Sequence, residues 1–166
     1  MALDLQQDAA DVYAFVADRA AAFTPKGDHG PGDSGPVKMI YGGFEFEQEG
    51  WFALVFDRRP DAAHDGEWTA HLEGNMLDRP EWAAAWELNQ SEPISIRGAD
   101  GVDLDLPAET DFGPLIGRML VDVLQRAEQE GLFANLPRGD ELELGLEDFN
   151  GSLGWSSQSG YRGQPA

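Results

Sequence analysis

Two segments of the chain carry pairs of carboxylates at every second position. They are Asp103 and Asp105 in VDLDL, and Glu141 and Glu143 in DELELGLED. Alternate residues of a strand point to one face, so each pair would present two oxygen-rich side chains together. Calcium and magnesium take oxygen ligands, but adjacent outward side chains on a strand diverge and no EF-hand spacing is present. We therefore predict no metal site and no cofactor.

Histidine and serine provide no catalytic signature either. The three histidines, His29, His64 and His71, do not form H-E-x-x-H or a similar cluster, and only His71 lies on a predicted strand where it could act as a general base. Ser152, in G-S-L-G, lacks the spacing of a nucleophile elbow. We predict no catalytic residue. A small carboxylate/histidine hydrolase or metal-dependent enzyme is the alternative.

The overall charge indicates which partners the chain would attract. Eleven basic residues stand against 31 acidic ones, giving a formal charge of −20. Such a field repels nucleic acids and anionic membranes and attracts a basic protein. The acidity could instead serve solubility alone, or reflect a salty source or its genome composition. With no cysteine, no signal peptide and no membrane-length apolar run, we expect a cytoplasmic protein.

Apolar residues recur at helical spacing in three places. The first helix is predicted over residues 6–23. For the second, Asp78 is the expected N-cap and Pro80 occupies the first turn. The third covers 112–130 and should end at Gly131. The apolar stripes comprise Ala9, Val12, Val16, Ala20 and Phe23 in the first helix, Trp82 and Trp86 in the second, and Phe112, Leu115, Ile116, Met119, Leu120, Val123 and Leu124 in the third.

Strands with alternating polar and apolar residues fill most of the remaining chain. Single strands are predicted at 37–41, 65–74 and 141–147. Two hairpins, 44–56 and 93–107, each have a predicted three-residue turn, 48–50 and 99–101, that ends in glycine. The expected pairs are Phe46 with Phe52, Phe44 with Leu54, Ile96 with Leu104, Ile94 with Leu106, and Arg97 with Asp103. Arg97 is the basic residue placed to neutralise the outward acids.

These elements predict an α+β fold. We expect a mostly antiparallel sheet of five or six strands, with two or three helices packed mainly on one face. Residues 1–166 are long enough for a single domain. The stretch 24–36, rich in proline and glycine, is predicted to be a mobile loop, and 150–166 a Gly/Ser-rich tail of which Trp155 and Tyr161 dock a part.

The outward acids of several strands surround one indole in this arrangement. The predicted partner-binding residues are Glu45, Glu47, Trp51, His71, Asp103, Asp105, Glu141 and Glu143. Like charges side by side disfavour a sheet, and a basic partner would relieve that repulsion. An aromatic side chain inside a charged rim is typical of protein interfaces. We predict a non-enzymatic acidic binding protein for a basic protein, with an immunity- or inhibitor-type role by analogy of charge and size.

The segment WFALVF leaves two alternatives open. Both of its faces are apolar, which is typical of a central strand covered on both sides, and Trp51 would then belong to the core. A self-associating structural protein would instead bury Trp51 in a homodimer.

Overall fold

The computed structural model describes residues 1–23, 36–57, 75–151 and 153–162. Within them the chain has an α+β fold, as predicted, with three helices and two mixed sheets. The helices are α1 (Leu5–Ala21), α2 (Pro80–Asn89) and α3 (Gly113–Gln129). None of them is both long enough and apolar enough to cross a membrane. The predicted strand 65–74, nearly all of the predicted loop 24–36 and the end of the tail lie outside the described residues.

The described strands form sheets of six and three. They are β1 (Leu3–Asp4), β2 (Val37–Glu45), β3 (Trp51–Asp57), β4 (Met76–Asp78), β5 (Ile94–Arg97), β6 (Asp103–Leu106), β7 (Arg138–Asp148), β8 (Gly154–Ser156) and β9 (Gly160–Arg162). The larger sheet has the order β4-β3-β2-β7-β8-β9, and the smaller one β1-β5-β6. The pairs β2–β7 and β1–β5 are parallel, and the other pairs are antiparallel.

The three helices share one face of the larger sheet. Phe15 of α1 packs edge-on against Phe52, and Trp86 of α2 packs edge-on against Phe46. In α3, Gly117 approaches the ring of Phe44 so closely that a side chain there would contact it. The alternation predicted for the two strands of the hairpin 44–56 therefore assigns their core face correctly. Phe44, Phe46, Phe52, Leu54 and Phe56 all belong to the main core.

The β2–β3 hairpin differs from the prediction in its register. Phe44 lies opposite Phe52, and the loop spans residues 46–50 in place of 48–50. The predicted pairing of Phe46 with Phe52 is therefore wrong by two residues, a shift that leaves each side chain on its predicted face. The predicted strand 37–41 is also not separate, because β2 continues through Gly42 and Gly43.

The β5–β6 hairpin has the predicted register. Ile96 lies opposite Leu104, and Arg97 opposite Asp103. Gly98 donates its N–H to the carbonyl of Val102, which leaves a three-residue turn. Its last residue, Gly101, has a φ of 82°, the left-handed conformation that glycine adopts without steric cost.

The predicted cap of α2 is wrong. Asp78 belongs to β4 and lies opposite Trp51, while Arg79 precedes the helix without a capping side chain. The local sequence motif assigned Asp78 to the helix, but pairing with β3 places it in a strand. At α3, the Asp111 carboxylate accepts from the N–H of Gly113, and Gly131 follows the helix with a φ of 81°.

The C-terminal segment extends the larger sheet. In β7, Leu144 and Leu146 are buried as predicted, and β8 and β9 form a hairpin beside this strand. Trp155 is buried in the core, whereas the side chain of Tyr161 is exposed. Part of the predicted tail is therefore ordered into strands.

Candidate functional site

Glu45 is the acid whose position departs furthest from the prediction. It is buried, and its carboxylate accepts the backbone N–H groups of all four residues 47–50 at 2.5–3.1 Å. Burial alone would raise the pKa of this carboxyl, but the four donors outweigh it and hold the pKa below its ordinary value. Glu45 organises the β2–β3 loop, which explains the five-residue turn. It is not available at the surface.

The indole of Trp51 is also not available. Trp51 is 7% exposed, and its ring packs edge-on against Phe149 at a centroid distance of 4.8 Å. Ala53 and Val55, on the same face of β3, are buried as well. The prediction of a solvent-accessible indole at a docking surface is wrong, because this side of the central strand is covered. Trp51 belongs to the structural core, the alternative that the two apolar faces of WFALVF had left open.

Glu47 lies beside this buried region and is half-buried. Its partial burial, followed by the charges of Asp148, Asp111 and Glu45, raises the pKa of its carboxyl. Glu47 therefore carries its negative charge less readily than Glu45 does.

The acids of β7 divide between two roles. Glu141 is exposed at the beginning of the strand. Glu143 is half-buried and accepts a hydrogen bond of 2.6 Å from the hydroxyl of Ser156 on β8. Further along, Glu147 accepts from the buried hydroxyl of Tyr41. Burial, followed by this hydrogen bond, raises the pKa of Tyr41. Along β7 the carboxylates thus change from exposed, at Glu141, to hydrogen-bonded with neighbouring strands, at Glu143 and Glu147.

The acids of β6 are at the surface. Asp103 and Asp105 are exposed and lie on one face of the hairpin. Arg97 donates its Nε–H to Asp103 at 3.1 Å, and its Nη1 lies 3.8 Å from Asp4. Asp105 accepts from the hydroxyl of Ser95. Two carboxylates therefore share one guanidinium, and together with Asp105 they leave the face with a net negative charge.

Apolar side chains accompany these acids. Val102 is 55% exposed and Leu104 38% exposed. We define the hairpin edge as residues 102–105, which comprise Val102 and the first three residues of β6. It combines exposed carboxylates with exposed aliphatic groups, a composition typical of the rim and contact area of a protein interface. This is the arrangement that the sequence had predicted around Trp51.

The predicted partner-binding residues are divided between the two sheets. Asp103 and Asp105 lie in the three-stranded sheet, whereas Glu141 and Glu143 lie in the six-stranded sheet. His71 lies outside the described residues. The alternation of residues determines which face each acid occupies, but it does not assign a strand to a sheet.

A second polar cluster was not predicted. The carboxylate of Asp8, buried in α1, accepts from the indole N–H of Trp82 at 2.8 Å. Arg79 lies 3.8 Å from Asp8, 3.0 Å from Asp11 and 3.1 Å from Glu81. Burial raises the pKa of Asp8 to about 6, against the lowering effects of Trp82 and Arg79. Arg79 and the three carboxylates around it border a cleft of about 300 Å³.

The sequence did contain a signal for Asp8. It stands four residues before Val12 on the same helical stripe as Val16, so an acid at that position faces the core. Because each of the three carboxylates faces Arg79, the cluster joins α1 to the beginning of α2. Among the described residues, no group of three or more histidine, aspartate or glutamate side chains is placed to hold a metal ion.

No protein-family model matches the chain, and no curated protein or solved structure matches it either. Its function must therefore be argued from its own residues.

Proposed function

We propose that this chain is a non-enzymatic acidic binding protein that engages a basic protein partner through the hairpin edge. The observation that carries the proposal is the exposure of Val102 and Leu104 beside the exposed carboxylates of Asp103 and Asp105. Aliphatic groups supply area that is desolvated on contact, and the acids select a positively charged partner.

The accessibility of these acids distinguishes them from Glu45 and Glu143. The carboxylate of Glu45 accepts hydrogen bonds from its own loop, and that of Glu143 accepts one from the neighbouring strand. Beside the hairpin edge, the Arg97 guanidinium lies within 3.8 Å of the carboxylates of Asp4 and Asp103, and the carboxylate of Asp105 accepts from the hydroxyl of Ser95. A cationic group from a partner would complete this arrangement.

The charge of the whole chain supports the same proposal. A formal charge of −20 steers a basic partner toward the molecule and accelerates its association. At 0.1 M ionic strength, salt screens the attraction between exposed charges that are more than about 10 Å apart. Binding should therefore be faster and tighter at low salt. An inhibitor of a cationic protein, including an immunity-type protein, would benefit from this behaviour.

The experiment is a titration of the isotope-labelled protein with a blocked nonapeptide of alternating lysine and valine, followed by NMR. We expect chemical-shift changes centred on residues 95–106, and weaker binding as salt is raised. An otherwise identical glutamate–valine peptide should not bind. Shift changes centred on 138–143, or spread evenly over all exposed acids, would contradict the proposed surface. Absence of binding at physiological salt would contradict the function.

A matched pair of variants separates local contact from total charge. Replacing Asp103 and Asp105 with asparagine removes two charges at the hairpin edge. Replacing Glu87 and Asp140 with glutamine and asparagine removes two exposed charges elsewhere. We expect about fivefold weaker peptide binding for the first pair and less than about twofold for the second. Equal losses would show that only the net charge matters.

A further inference from the structure

The backbone of β6 has one unused side. In an antiparallel pair, residues alternate between those that exchange hydrogen bonds and those whose N–H and C=O groups point away from the partner strand. The bond from Gly98 to Val102 places Ile96–Leu104 among the hydrogen-bonded pairs. Arg97–Asp103 and Ser95–Asp105 are therefore pairs whose backbone groups do not bond to each other. The N–H and C=O groups of Asp103 and Asp105 point outward.

The opposite side of the hairpin confirms this assignment. The carbonyl of Ser95 accepts from the N–H of Ala2, so the outward groups of β5 pair with β1. On β6, no described residue pairs with the equivalent groups, and β6 is the last strand of its sheet. It also lies within the continuous described stretch 75–151. An unpaired strand edge is a template on which another extended chain can pair.

The side chains of β6 determine which chain fits. A strand paired with the outward groups would place its residues opposite Asp103 and Asp105 on the acidic face, and the residue between them opposite Leu104. Basic residues would thus face the carboxylates, and an apolar residue would cover the exposed leucine. The fitting segment alternates basic and apolar residues.

A second copy of this chain fits poorly. Antiparallel pairing of two β6 strands through their outward groups would place Asp103 of one opposite Asp105 of the other, twice over. Like charges directly opposite one another destabilise a sheet, and both molecules carry a formal charge of −20. Charge complementarity therefore favours a basic chain over self-association.

We infer that the basic partner docks by adding an extended segment to the three-stranded sheet as a fourth strand beside β6. This inference rests on the proposed function and specifies its mode of recognition. Backbone hydrogen bonds would contribute affinity, and alternating basic and apolar side chains would contribute selectivity. The acids at outward positions also protect the free edge from neutral strands.

Hydrogen exchange tests the inference directly. With the lysine–valine nonapeptide bound, we expect the amide protons of Asp103 and Asp105 to become protected. A second peptide carries N-methyl groups on its lysine amides, which face β6 when the lysines lie opposite the two aspartates. It keeps every charge but should bind about tenfold more weakly, as the loss of two hydrogen bonds predicts.

Two variants at one position provide the matched control. Asp105→Pro removes an outward N–H without breaking the pairing with β5, which is the position in an edge strand where proline is tolerated. Asp105→Asn removes the same charge and keeps the N–H. We expect the proline variant to bind about fivefold more weakly than the asparagine variant. Hydrogen exchange on the unaltered protein remains decisive if the proline variant does not fold.

The outcomes separate this inference from the proposed function. If the peptide binds the hairpin edge while both amides exchange as they do in the free protein, strand addition is wrong and side-chain docking stands. Equal affinity of the two peptides would lead to the same conclusion. If neither peptide binds at physiological salt, both proposals fail together.

Discussion

Glu45 of the β2–β3 hairpin and Asp105 of the β5–β6 hairpin both stand at outward strand positions beside apolar neighbours. Glu45 is buried and accepts four backbone N–H groups, whereas Asp105 is exposed and accepts one hydroxyl. The loop that connects the two strands differs between these hairpins. The five-residue loop brings four N–H donors around the carboxylate of Glu45, while the three-residue turn closes with glycine and offers a single N–H, that of Val102, to its own Asp100.

The comparison shows that the same alternation of acids and apolar residues can produce a structural carboxylate or a free one. In the larger sheet, the Glu45 carboxylate accepts from the N–H groups of its own loop. In the smaller sheet, Asp103 and Asp105 remain in solvent. These two free carboxylates are accompanied by the exposed side chains of Val102 and Leu104, and for this reason the proposed surface lies on the hairpin edge.

The largest expected effect on stability comes from replacing a glycine in one of the two hairpin loops. Gly50 has a φ of 79°, and a Cβ added there would lie 2.0 Å from the carbonyl oxygen of Arg79. Gly50→Ala should therefore lower the free energy of unfolding by at least about 4 kcal/mol. At Gly101 a Cβ would meet only the flexible Gln6 side chain, at 3.1 Å. Gly101→Ala should cost about 1 kcal/mol, the strain of a left-handed residue. Urea denaturation followed by tryptophan fluorescence measures both, and equal losses would contradict the contrast.

The next effect tests the two carboxylates themselves. Glu45→Ala leaves four N–H groups of its loop, including the buried one of Gly50, without this acceptor and should cost about 3 kcal/mol. Asp105→Ala, the matched control, should change stability by no more than about 0.5 kcal/mol. Both values come from denaturant midpoints at pH 7. A loss below about 1 kcal/mol for Glu45→Ala would show that the loop does not depend on this carboxylate.

Asp8 is buried like Glu45, but its carboxylate accepts fewer hydrogen bonds. Comparing the two residues therefore separates the effect of burial on the pKa from the effect of hydrogen-bond donors. The pKa of Asp8 rises from 3.8 to about 6 on folding. Between these values the folded state holds a proton that the unfolded state has lost, so the contribution of Asp8 to stability falls as pH rises. Asp8→Asn should therefore be more stable than the unaltered protein at pH 7 by up to about 2 kcal/mol.

The pH dependence of this gain identifies its cause. The gain should shrink as pH falls from about 6 toward 4, where Asp8 is protonated in both states. Glu45 has the opposite sign: its pKa is lowered on folding, so the stability it contributes is present at neutral pH and lost in acid. A gain for Asp8→Asn that did not change with pH would show that desolvation of the charge is not its origin. Thermal unfolding across this pH range measures both trends.

Much of the local structure was predictable from the sequence. Helical spacing located α1 and α3 to within two residues at each end, and alternation identified the residues of β3, β5 and β7 that face the main core. The β5–β6 register followed from a short turn with glycine in the left-handed position. These features depend on neighbouring residues, which sequence patterns record.

The candidate site was less predictable. The acids at 103 and 105 were identified, but they were assigned to a surface together with Trp51, which is buried. Glu45 was misassigned because its alternation indicates an outward side chain, whereas the donors that draw it inward exist only once the loop has formed. The free side of β6 could not be identified, since pairing alone determines which strand lies last in a sheet.

The sequence by itself determined the acidic character of this protein, its α+β class and the face on which each strand residue points. Those properties depend on composition and on the periods of helices and strands, which act over a few residues. Only the tertiary structure decided that two sheets form, that Trp51 is covered and that β6 has no outer neighbour. These outcomes depend on contacts between distant segments, because a carboxylate or strand edge is free only when nothing else in the folded chain satisfies it.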